Sequence, residues 1–274
     1  MMKTILITGA AKRIGASLAL KFAAMNWNIL IHYNNSEIEA KQLLEKINSA
    51  NFTLNSKNNC SENNDNTNKN DDFSKNYTGI AKIFKADLRN ENEIINLFDF
   101  ASKEFAQIDV LVNNAAIFPE KKMFSDIDSI FWDDVFATNL RSQFLTSREF
   151  SNTVKEKIKE NPNSNTNFKI INFSSLGGLK IWDKKIPYNI SKSAVIQLTK
   201  ALARELAPQI SVNCICPGIV KIDEREEIFI SESKIPMQRY ATVEDIFELV
   251  YFFATSTNYI TGQVVTVDGG MEFV

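Results

Sequence analysis

Near its start the chain reads Thr8-Gly9-Ala10-Ala11-Lys12-Arg13-Ile14-Gly15, directly after the apolar run Thr4-Ile5-Leu6-Ile7. The apolar run predicts a buried strand, and the spacing of apolar residues over 14–25 predicts a helix. A glycine in the turn and a second in the first helical turn allow backbone N–H groups and the helix dipole to face a phosphate. We therefore expect Gly9 and Gly15 to shape the phosphate-binding turn of a nucleotide site.

Strand-like and helix-like patterns alternate along the remainder of the chain. Further apolar runs occur at 28–32, 80–84, 109–113, 168–173, 210–215 and 263–267, and helical periods at 37–48, 91–105, 129–150 and 190–206. Alternation of this kind predicts a parallel sheet with right-handed crossovers. We expect residues 1–274 to form a single NAD(P)-binding α/β domain with a Rossmann-like doubly wound, seven-stranded parallel sheet and helices on both faces.

Two segments depart from this alternation. Residues 50–78 are dominated by Asn, Ser, Lys and Asp, and they contain few large apolar side chains. Such a segment buries too little surface to offset its ordering entropy, which predicts a flexible Asn-rich surface insert. The segment at about 219–240 is rich in Asp and Glu in its first half, and we expect it to form a lid over a substrate.

Composition narrows the classes of function. Hydrophobic residues make up 44% of the 274 positions, which is enough for a sizeable buried core. The formal net charge of −2 argues against a nucleic-acid or membrane-surface role, since both usually need a basic face. His32 is the one histidine, which argues against a Ser-His-Asp triad and a zinc site. Cys60, Cys214 and Cys216 have no metal-site spacing, and Cys214 and Cys216 alternate in an apolar run, so we expect these two to have packing roles. The expected protein is cytoplasmic and acts on a small molecule, without a metal, nucleic acid or membrane.

A second motif, Tyr188-Asn189-Ile190-Ser191-Lys192, lies in the second half of the chain. Tyr188 and Lys192 are four residues apart on a predicted helix, so they share one face. A lysine ammonium beside a phenol is expected to lower the pKa of the tyrosine, which prepares it to donate a proton. Ser175 follows a predicted strand, where its hydroxyl could polarise the reacting atom of a substrate.

The end of the second predicted strand bears on the choice of cofactor. An NAD enzyme usually has an acidic residue here for the ribose hydroxyls, whereas this chain has the neutral residues Asn34, Asn35 and Ser36 after His32 and Tyr33. With Lys12 and Arg13 nearby, this composition favours the 2′-phosphate of NADPH. NADH stays an alternative, because Glu37 could turn toward a ribose. Ser36 also has the character of a helix N-cap, with Glu39 as the third helical residue.

The two motifs and their surroundings resemble the short-chain dehydrogenase/reductase family over essentially the whole chain outside the Asn-rich insert. The resemblance includes Asp87-Leu88, Asn113-Asn114-Ala115-Ala116, Asn139, Ser175, Pro217-Gly218, Thr261-Gly262 and Asp268-Gly269-Gly270. It implies a catalytic tetrad of Asn139, Ser175, Tyr188 and Lys192, in which Lys192 also holds the nicotinamide ribose and Asn139 supports a water chain. It also implies a homotetramer.

Together, the motifs and the resemblance assign a set of residues to cofactor binding. They are Gly9, Lys12, Arg13, Ile14, Gly15, His32, Tyr33, Asn34, Asn35, Ser36, Asp87, Leu88, Asn114, Ala115, Ala116, Tyr188, Lys192, Pro217 and Gly218. The expected cofactor is NADPH.

Within that family the chain looks most like pteridine reductases and the dihydromonapterin or dihydrofolate reductases of the same fold. The glycine motif with Arg13 is the variant found in that subgroup, and Phe118 falls where the subgroup stacks a phenylalanine on the pterin. The resemblance thus implies that Arg13, Phe118, Ser175 and Tyr188 contact the substrate. Stacking of a flat heterocycle on an aromatic ring is physically reasonable, although Phe118 could also be a simple core or lid residue.

Other functions stay open at this stage. Pteridine reductases commonly have Asp at the position of Ser175, and the Tyr188 region together with residues 235–239 also resembles 3-oxoacyl-carrier-protein reductases. Reduction of a 3-oxoacyl thioester or another small carbonyl is therefore the alternative reaction. A nucleotide-sensing protein without catalysis is a third hypothesis, which the complete tetrad disfavours.

Overall fold

The structure, a computed structural model, describes residues 2–57, 79–162, 167–222 and 230–274. Its seven strands are β1 (Thr4–Ile7), β2 (Asn28–Tyr33), β3 (Ala81–Lys85), β4 (Val110–Asn113), β5 (Phe168–Phe173), β6 (Ile210–Pro217) and β7 (Val264–Val267). All neighbouring strands are parallel, and their order in the sheet is β3-β2-β1-β4-β5-β6-β7. The predicted fold class is confirmed.

Helices cover both faces of the sheet. They are α1 (Arg13–Ala24), α2 (Glu37–Lys57), α3 (Glu91–Glu104), α4 (Ser129–Phe136), α5 (Ser142–Glu160), α6 (Ile186–Glu205) and α7 (Val243–Thr255). Apolar residues of α1, α2 and α7 form one buried core with the sheet, and residues of α3, α5 and α6 form another. The central strands are buried between the two layers, as expected of a parallel sheet.

The alternation of side chains along the strands divides the two cores. In β1, Ile5 and Ile7 pack in the core that contains Phe22 of α1, whereas Leu6 packs in the core that contains Phe98 of α3. The same division recurs in β2 and β4, because successive strand residues point to opposite faces. The apolar runs in the sequence are continuous for this reason.

Several helix boundaries differ from the predicted ones. Helix α2 extends to Lys57, into the first residues of the Asn-rich segment. Once a helix is nucleated, each added residue forms one further hydrogen bond, so elongation costs little free energy. Helix α7 is missing from the predicted helical periods, although its buried residues Ile246, Phe247, Val250, Phe253 and Ala254 recur at helical spacing. The predicted insert from 58 to 78 and the lid residues 223–229 lie outside the described residues.

The predicted helix over 129–150 is two helices joined by a π-helical turn at Ala137–Arg141. A π turn contains one extra residue, which a period of 3.6 residues cannot indicate, and such turns are frequent at functional sites. Asn139, in the middle of this turn, is fully buried. Within the described ranges, no helix is long and apolar enough to cross a membrane.

Buried polar side chains join β4 and β5 to the helices below them. The Asn113 amide donates to Asn172 Oδ1 at 2.9 Å and to Ser147 Oγ at 3.0 Å. Its Oδ1 accepts from Thr146 Oγ1 at 2.7 Å, and Asn172 Nδ2 donates to Thr199 Oγ1 at 3.0 Å. Because a partly satisfied buried network is costly, these bonds fix the spacing between the strands and helices α5 and α6.

Replacement of Asn172 by Ala should lower the free energy of unfolding by about 2–3 kcal/mol, since it removes the buried hydrogen bonds that Asn172 forms with the Asn113 amide and with Thr199 Oγ1. Urea unfolding followed by circular dichroism measures this loss. Asn152→Ala is the matched control, because the Asn152 amide bonds to Glu149 at the surface, and we expect a change below about 0.5 kcal/mol there. Equal losses in both variants would contradict the role of the network.

Candidate active site

The strand order places a crevice at the carboxyl end of β1 and β4, since the chain proceeds to opposite sides of the sheet from these two strands. The Thr8 hydroxyl oxygen accepts hydrogen bonds from the backbone N–H groups of Asn114 and Ala115, at 2.9 and 3.0 Å. The Asn114 amide donates to the carbonyl oxygens of Thr8 and Gly9, at 2.8 and 3.2 Å. These bonds fasten the turn after β1 to the loop after β4.

The turn itself has no room for side chains at its glycines. Gly9 has φ +62°, and a Cβ there would lie 3.0 Å from Ala115 Cα. A Cβ at Gly15 would lie 2.6 Å from the Gly9 carbonyl oxygen and 2.8 Å from Asn114 Nδ2. The first N–H groups of α1 have no partner within the helix, so this compact turn fits the pyrophosphate of a dinucleotide. Arg13 has φ +55°, a strained value for a residue with a side chain.

His32 supports this turn from below. Its Nδ1 accepts from the Gly9 N–H at 3.0 Å, and its Nε2 donates to the Ala86 carbonyl oxygen at 2.9 Å. Burial lowers the pKa of His32 to about 4, so the ring is neutral near pH 7. Both ring nitrogens are bound to backbone groups, which gives His32 a supporting position beneath the site that was predicted to bind the cofactor.

The side of the crevice near β2 contains the residues predicted to select the cofactor. Lys12, at the start of α1, forms a 2.7 Å ion pair with Glu39 of α2. Asn34 and Ser36 are partly buried and Asn35 is exposed in the short connection from β2 to α2. The Lys12 ammonium is therefore held across the gap between α1 and α2, close to this neutral connection.

Glu37, the residue that would favour NADH, is the first residue of α2. Its carboxylate forms an ion pair with Lys41 of the same helix at 2.6 Å, and this contact lowers the pKa of Glu37. Tyr33, at the end of β2, is buried in the core beside α1 and α2. In the described structure Glu37 thus pairs along its own helix.

Other predicted cofactor residues lie at the carboxyl ends of their strands. Asp87 follows β3, and its carboxylate is held by the Arg89 guanidinium at 2.6–3.0 Å, which lowers the pKa of Asp87. A Cβ at Gly218, after β6, would lie 2.8 Å from Asp268 Cα, so this turn also requires a glycine. The remaining members differ in exposure: Leu88 and Pro217 are buried, Ile14 is partly buried, and Ala116 is exposed.

Asn139 ties the loop after β4 to the π turn. Its Oδ1 accepts from the Ile117 N–H at 2.8 Å, and its Nδ2 donates to the Ile117 carbonyl oxygen at 3.0 Å. Nδ2 also lies 3.3 Å from Ser191 Oγ on α6. The side chain therefore joins the loop, the π turn and α6 at one buried point.

Tyr188 and Ser175 meet at the bottom of the crevice. Ser175 lies two residues after the end of β5, and its hydroxyl oxygen accepts a hydrogen bond from the Gly177 N–H at 3.0 Å. Tyr188 is 8% exposed, and this burial raises its pKa, while a hydrogen bond from the Ser175 hydroxyl opposes the rise. The phenol is consequently protonated near pH 7.

Lys192 corrects one expectation from the sequence. Its Nζ donates to the Phe173 carbonyl oxygen at 2.9 Å, and burial lowers the pKa of Lys192 to about 8. The expected lowering of the Tyr188 pKa by this ammonium is therefore absent. Burial of the phenol dominates, since removal from water disfavours its charged form.

Comparisons with known proteins can now be set beside this geometry. Residues 60–272 match the protein family described as enoyl-(acyl carrier protein) reductase. The chain is 30% identical to the 3-oxoacyl-(acyl-carrier-protein) reductase of Staphylococcus aureus, over 99% of this chain and 98% of that protein. The corresponding reductase of Buchnera aphidicola is 34% identical over 68% of this chain and 76% of its own length.

Solved structures agree with these relatives. A short-chain dehydrogenase/reductase of Burkholderia xenovorans superposes with a TM-score of 0.80 and 26% identity, covering 98% of each chain. The chain belongs to the short-chain dehydrogenase/reductase family. It is an NAD(P)H-dependent oxidoreductase of that type. The FolM alternative dihydrofolate reductase 1 of Brucella suis, solved with NADP, superposes with a TM-score of 0.77 and 27% identity, covering 99% of this chain and 96% of that chain.

As in a short-chain reductase, the predicted tetrad lies at one end of the sheet. Asn139 lies near Ser191 of α6, and Lys192, itself on α6, donates to the Phe173 carbonyl at the end of β5. Ser175 is close enough to Tyr188 to lower its pKa. The assignment of catalytic, cofactor and substrate roles to these residues stays a prediction, as does the homotetramer. Cys214 and Cys216 are buried beside Val195 on α6, and Cys60 lies outside the described residues.

Trp182 and Lys185, two residues near Tyr188, were not identified as site residues from the sequence. A Cβ at Gly177 would lie 2.4 Å from Trp182 Nε1 and 3.0 Å from Tyr188 Cε1, so both rings approach this glycine. Asn189 holds the Trp182 backbone through bonds of 3.2 and 2.8 Å. Lys185 contacts Phe118, whose ring is 4.8 Å from that of Tyr188. The sequence feature that could have indicated Trp182 and Lys185 is their position within six residues of Tyr188 along the chain.

His32 should make stability depend on pH. Its folded pKa of about 4 lies below the ordinary 6.5, so the unfolded chain binds the proton more readily as the pH falls. Between about pH 7.5 and about pH 5, this residue should cost the fold about 2 kcal/mol. Urea unfolding at both pH values measures the loss.

His32→Gln, which does not titrate in this range, is the comparison. Its amide can still accept a bond from the Gly9 N–H, so the variant should fold, with a smaller loss of stability on acidification. An identical dependence on pH in the two proteins would show that His32 does not contribute.

Proposed function

We propose that this protein is an NADPH-dependent reductase of a pterin-like substrate with a C=N or C=O group. The observation that carries the proposal is the aromatic border of Tyr188. Phe118 stands edge-on to Tyr188 with ring centroids 4.8 Å apart, and Trp182 approaches the same site across Gly177. Flat heterocycles bind well between aromatic surfaces. The similarity to the dihydrofolate reductase of Brucella suis supports this substrate class.

The mechanism follows from the environment of each residue. When bound, the reduced nicotinamide supplies a hydride to the substrate. Tyr188 is protonated at neutral pH because of its burial, so it can donate a proton to the adjacent nitrogen or oxygen, directly or through an ordered water. The Ser175 hydroxyl orients the reacting atom and stabilises charge on the phenolate.

Lys192 serves the same proton transfer from one helical turn away. With a pKa of about 8, it remains largely charged at neutral pH, and the Phe173 carbonyl fixes its direction. In this proposal the ammonium also holds the ribose next to the nicotinamide. Asn139 holds the loop at Ile117, which shapes the same end of the crevice.

The preference for NADPH rests on charge at the β2 side of the crevice. Lys12 lies between α1 and α2, where it pairs with Glu39 close to the neutral side chains that follow β2, while Glu37 pairs with Lys41. A cation near neutral hydrogen-bonding groups suits a 2′-phosphate better than two ribose hydroxyls. The relative from Brucella suis was solved with NADP.

Lys12→Met should lower kcat/KM for NADPH about tenfold, because a charged contact to phosphate is lost. The value for NADH should be unchanged, since NADH has no 2′-phosphate. Steady-state kinetics with each cofactor measure the ratio. Lys157→Met is the control, as that lysine pairs with Glu160 at the far end of α5. Equal losses with both cofactors would refute the assigned role of Lys12.

Reduction of a 3-oxoacyl thioester is the second candidate function. The chain shares 30% identity with the Staphylococcus aureus 3-oxoacyl-(acyl-carrier-protein) reductase over nearly its whole length, and it has Ser175 where pteridine reductases commonly have Asp. Apart from Ser175, the tetrad does not distinguish the two substrates, because either reaction needs a hydride from the cofactor and a proton from Tyr188.

The deciding experiment is NADPH oxidation by the purified protein, with a 7,8-dihydropterin or quinonoid dihydropterin in one arm and an acetoacetyl thioester in the other. We expect pterin turnover, and Tyr188→Phe should reduce it by roughly 10²–10⁴-fold through loss of the proton donor. Thermal unfolding of the variant verifies that it is folded. Turnover of the thioester alone would replace the proposal with the second candidate.

A further inference from the structure

Lys185 is a buried cation three residues before Tyr188. The residue is only 5% exposed, and burial lowers its pKa. Its Nζ donates a hydrogen bond to the Pro119 carbonyl oxygen and lies 3.9 Å from the centroid of the Phe118 ring. An ammonium withdrawn from water requires compensating contacts, and both of these contacts are with the loop after β4.

The same loop is held from its other side by Asn139. That amide bonds to both the N–H and the carbonyl of Ile117, the residue before Phe118, while Lys185 bonds to the residue after it. A backbone bond of 3.1 Å from Lys122 to Lys184 adds a third tie between the loop and the start of α6. The backbone is thus fixed on both sides of Phe118.

Phe118 depends on these ties, because its own packing is sparse. The residue is 65% exposed, and its ring contacts are the Tyr188 ring, at 4.8 Å and an angle of 87°, and the Lys185 ammonium. A largely exposed phenylalanine has little core packing to hold one rotamer. Contacts with Lys185 therefore determine how the ring stands against the proton donor.

We propose that Lys185 is a positioning residue that holds Phe118 against Tyr188 and so determines which substrate shapes reach the proton donor. Lysine suits this task, since one ammonium can donate to a carbonyl and lie over an aromatic ring at the same time. The role goes beyond the proposed function, because it applies equally to a pterin or a thioester substrate.

The test compares Lys185→Met with Lys185→Arg. Methionine keeps the apolar stem and removes the charge and the donor, whereas arginine keeps both. With whichever of the two substrates is turned over, Lys185→Met should raise the substrate KM about tenfold with kcat changed less than about threefold. Lys185→Arg should recover most of the affinity. Lys184→Met, an exposed neighbour in the same segment, should leave both constants unchanged.

A double-mutant cycle with Phe118→Leu isolates the route of the effect. If Lys185 acts through the ring, Lys185→Met should change KM by less than about twofold in the Phe118→Leu background. An unchanged KM in the single variant, an equal rise in both backgrounds, or a loss confined to kcat would overturn the proposal. Thermal unfolding identifies any variant that is not folded.

A crystal structure of Lys185→Met supplies a measurement that needs no turnover. We expect the Phe118 ring to leave its 4.8 Å contact with Tyr188 or to become disordered. A ring that keeps this contact would overturn the proposal whatever substrate the enzyme uses. The identity of the substrate, in contrast, is decided by the two arms of the NADPH assay.

Discussion

The hydrogen bonds between Thr8 and the Asn114–Ala115 segment are the constraint on which the site depends. They join β1 and β4 at the point where the strand order reverses and a crevice must open. Ala115 closes the space above Gly9, and three residues later Phe118 contacts Tyr188. The turn predicted to bind phosphate and the predicted wall of the substrate site therefore share one short loop.

Burial determines the acid–base behaviour at the other side of this loop. Tyr188 is kept protonated because its phenolate would be poorly solvated, while Lys192 loses proton affinity for the same reason. Burial thus moves the two pKa values apart, since it raises that of the phenol and lowers that of the ammonium to about 8. The spacing of four residues between them indicates a shared helix face, but it carries no information about how deeply that face is buried.

The sequence was sufficient for the sheet, whereas the location of the site stays a prediction. Strands such as β1 and β4 are short apolar runs bounded by polar turns, and residues that follow such runs collect at one edge of a parallel sheet. Asn139 was named from the family resemblance, but the π turn that contains it could not be predicted, because the extra residue of such a turn has no signal in the helical period. His32 follows the pattern of a residue beside the cofactor, yet its ring turns inward to Gly9 and Ala86. Side-chain direction at a strand end depends on neighbours distant in sequence.

The sequence motifs contain little information about which substrate the enzyme accepts. In the proposed function Ser175, Tyr188 and Lys192 provide a proton donor and its support, and these would suit a C=N or a C=O group alike. In our proposals the surfaces that distinguish substrates are Phe118, which Lys185 contacts, and Trp182, which approaches Gly177. None of these four lies within the tyrosine–lysine motif or the glycine turn. A short-chain reductase can therefore keep its catalytic residues while substitutions at such positions change which molecule reaches the tyrosine.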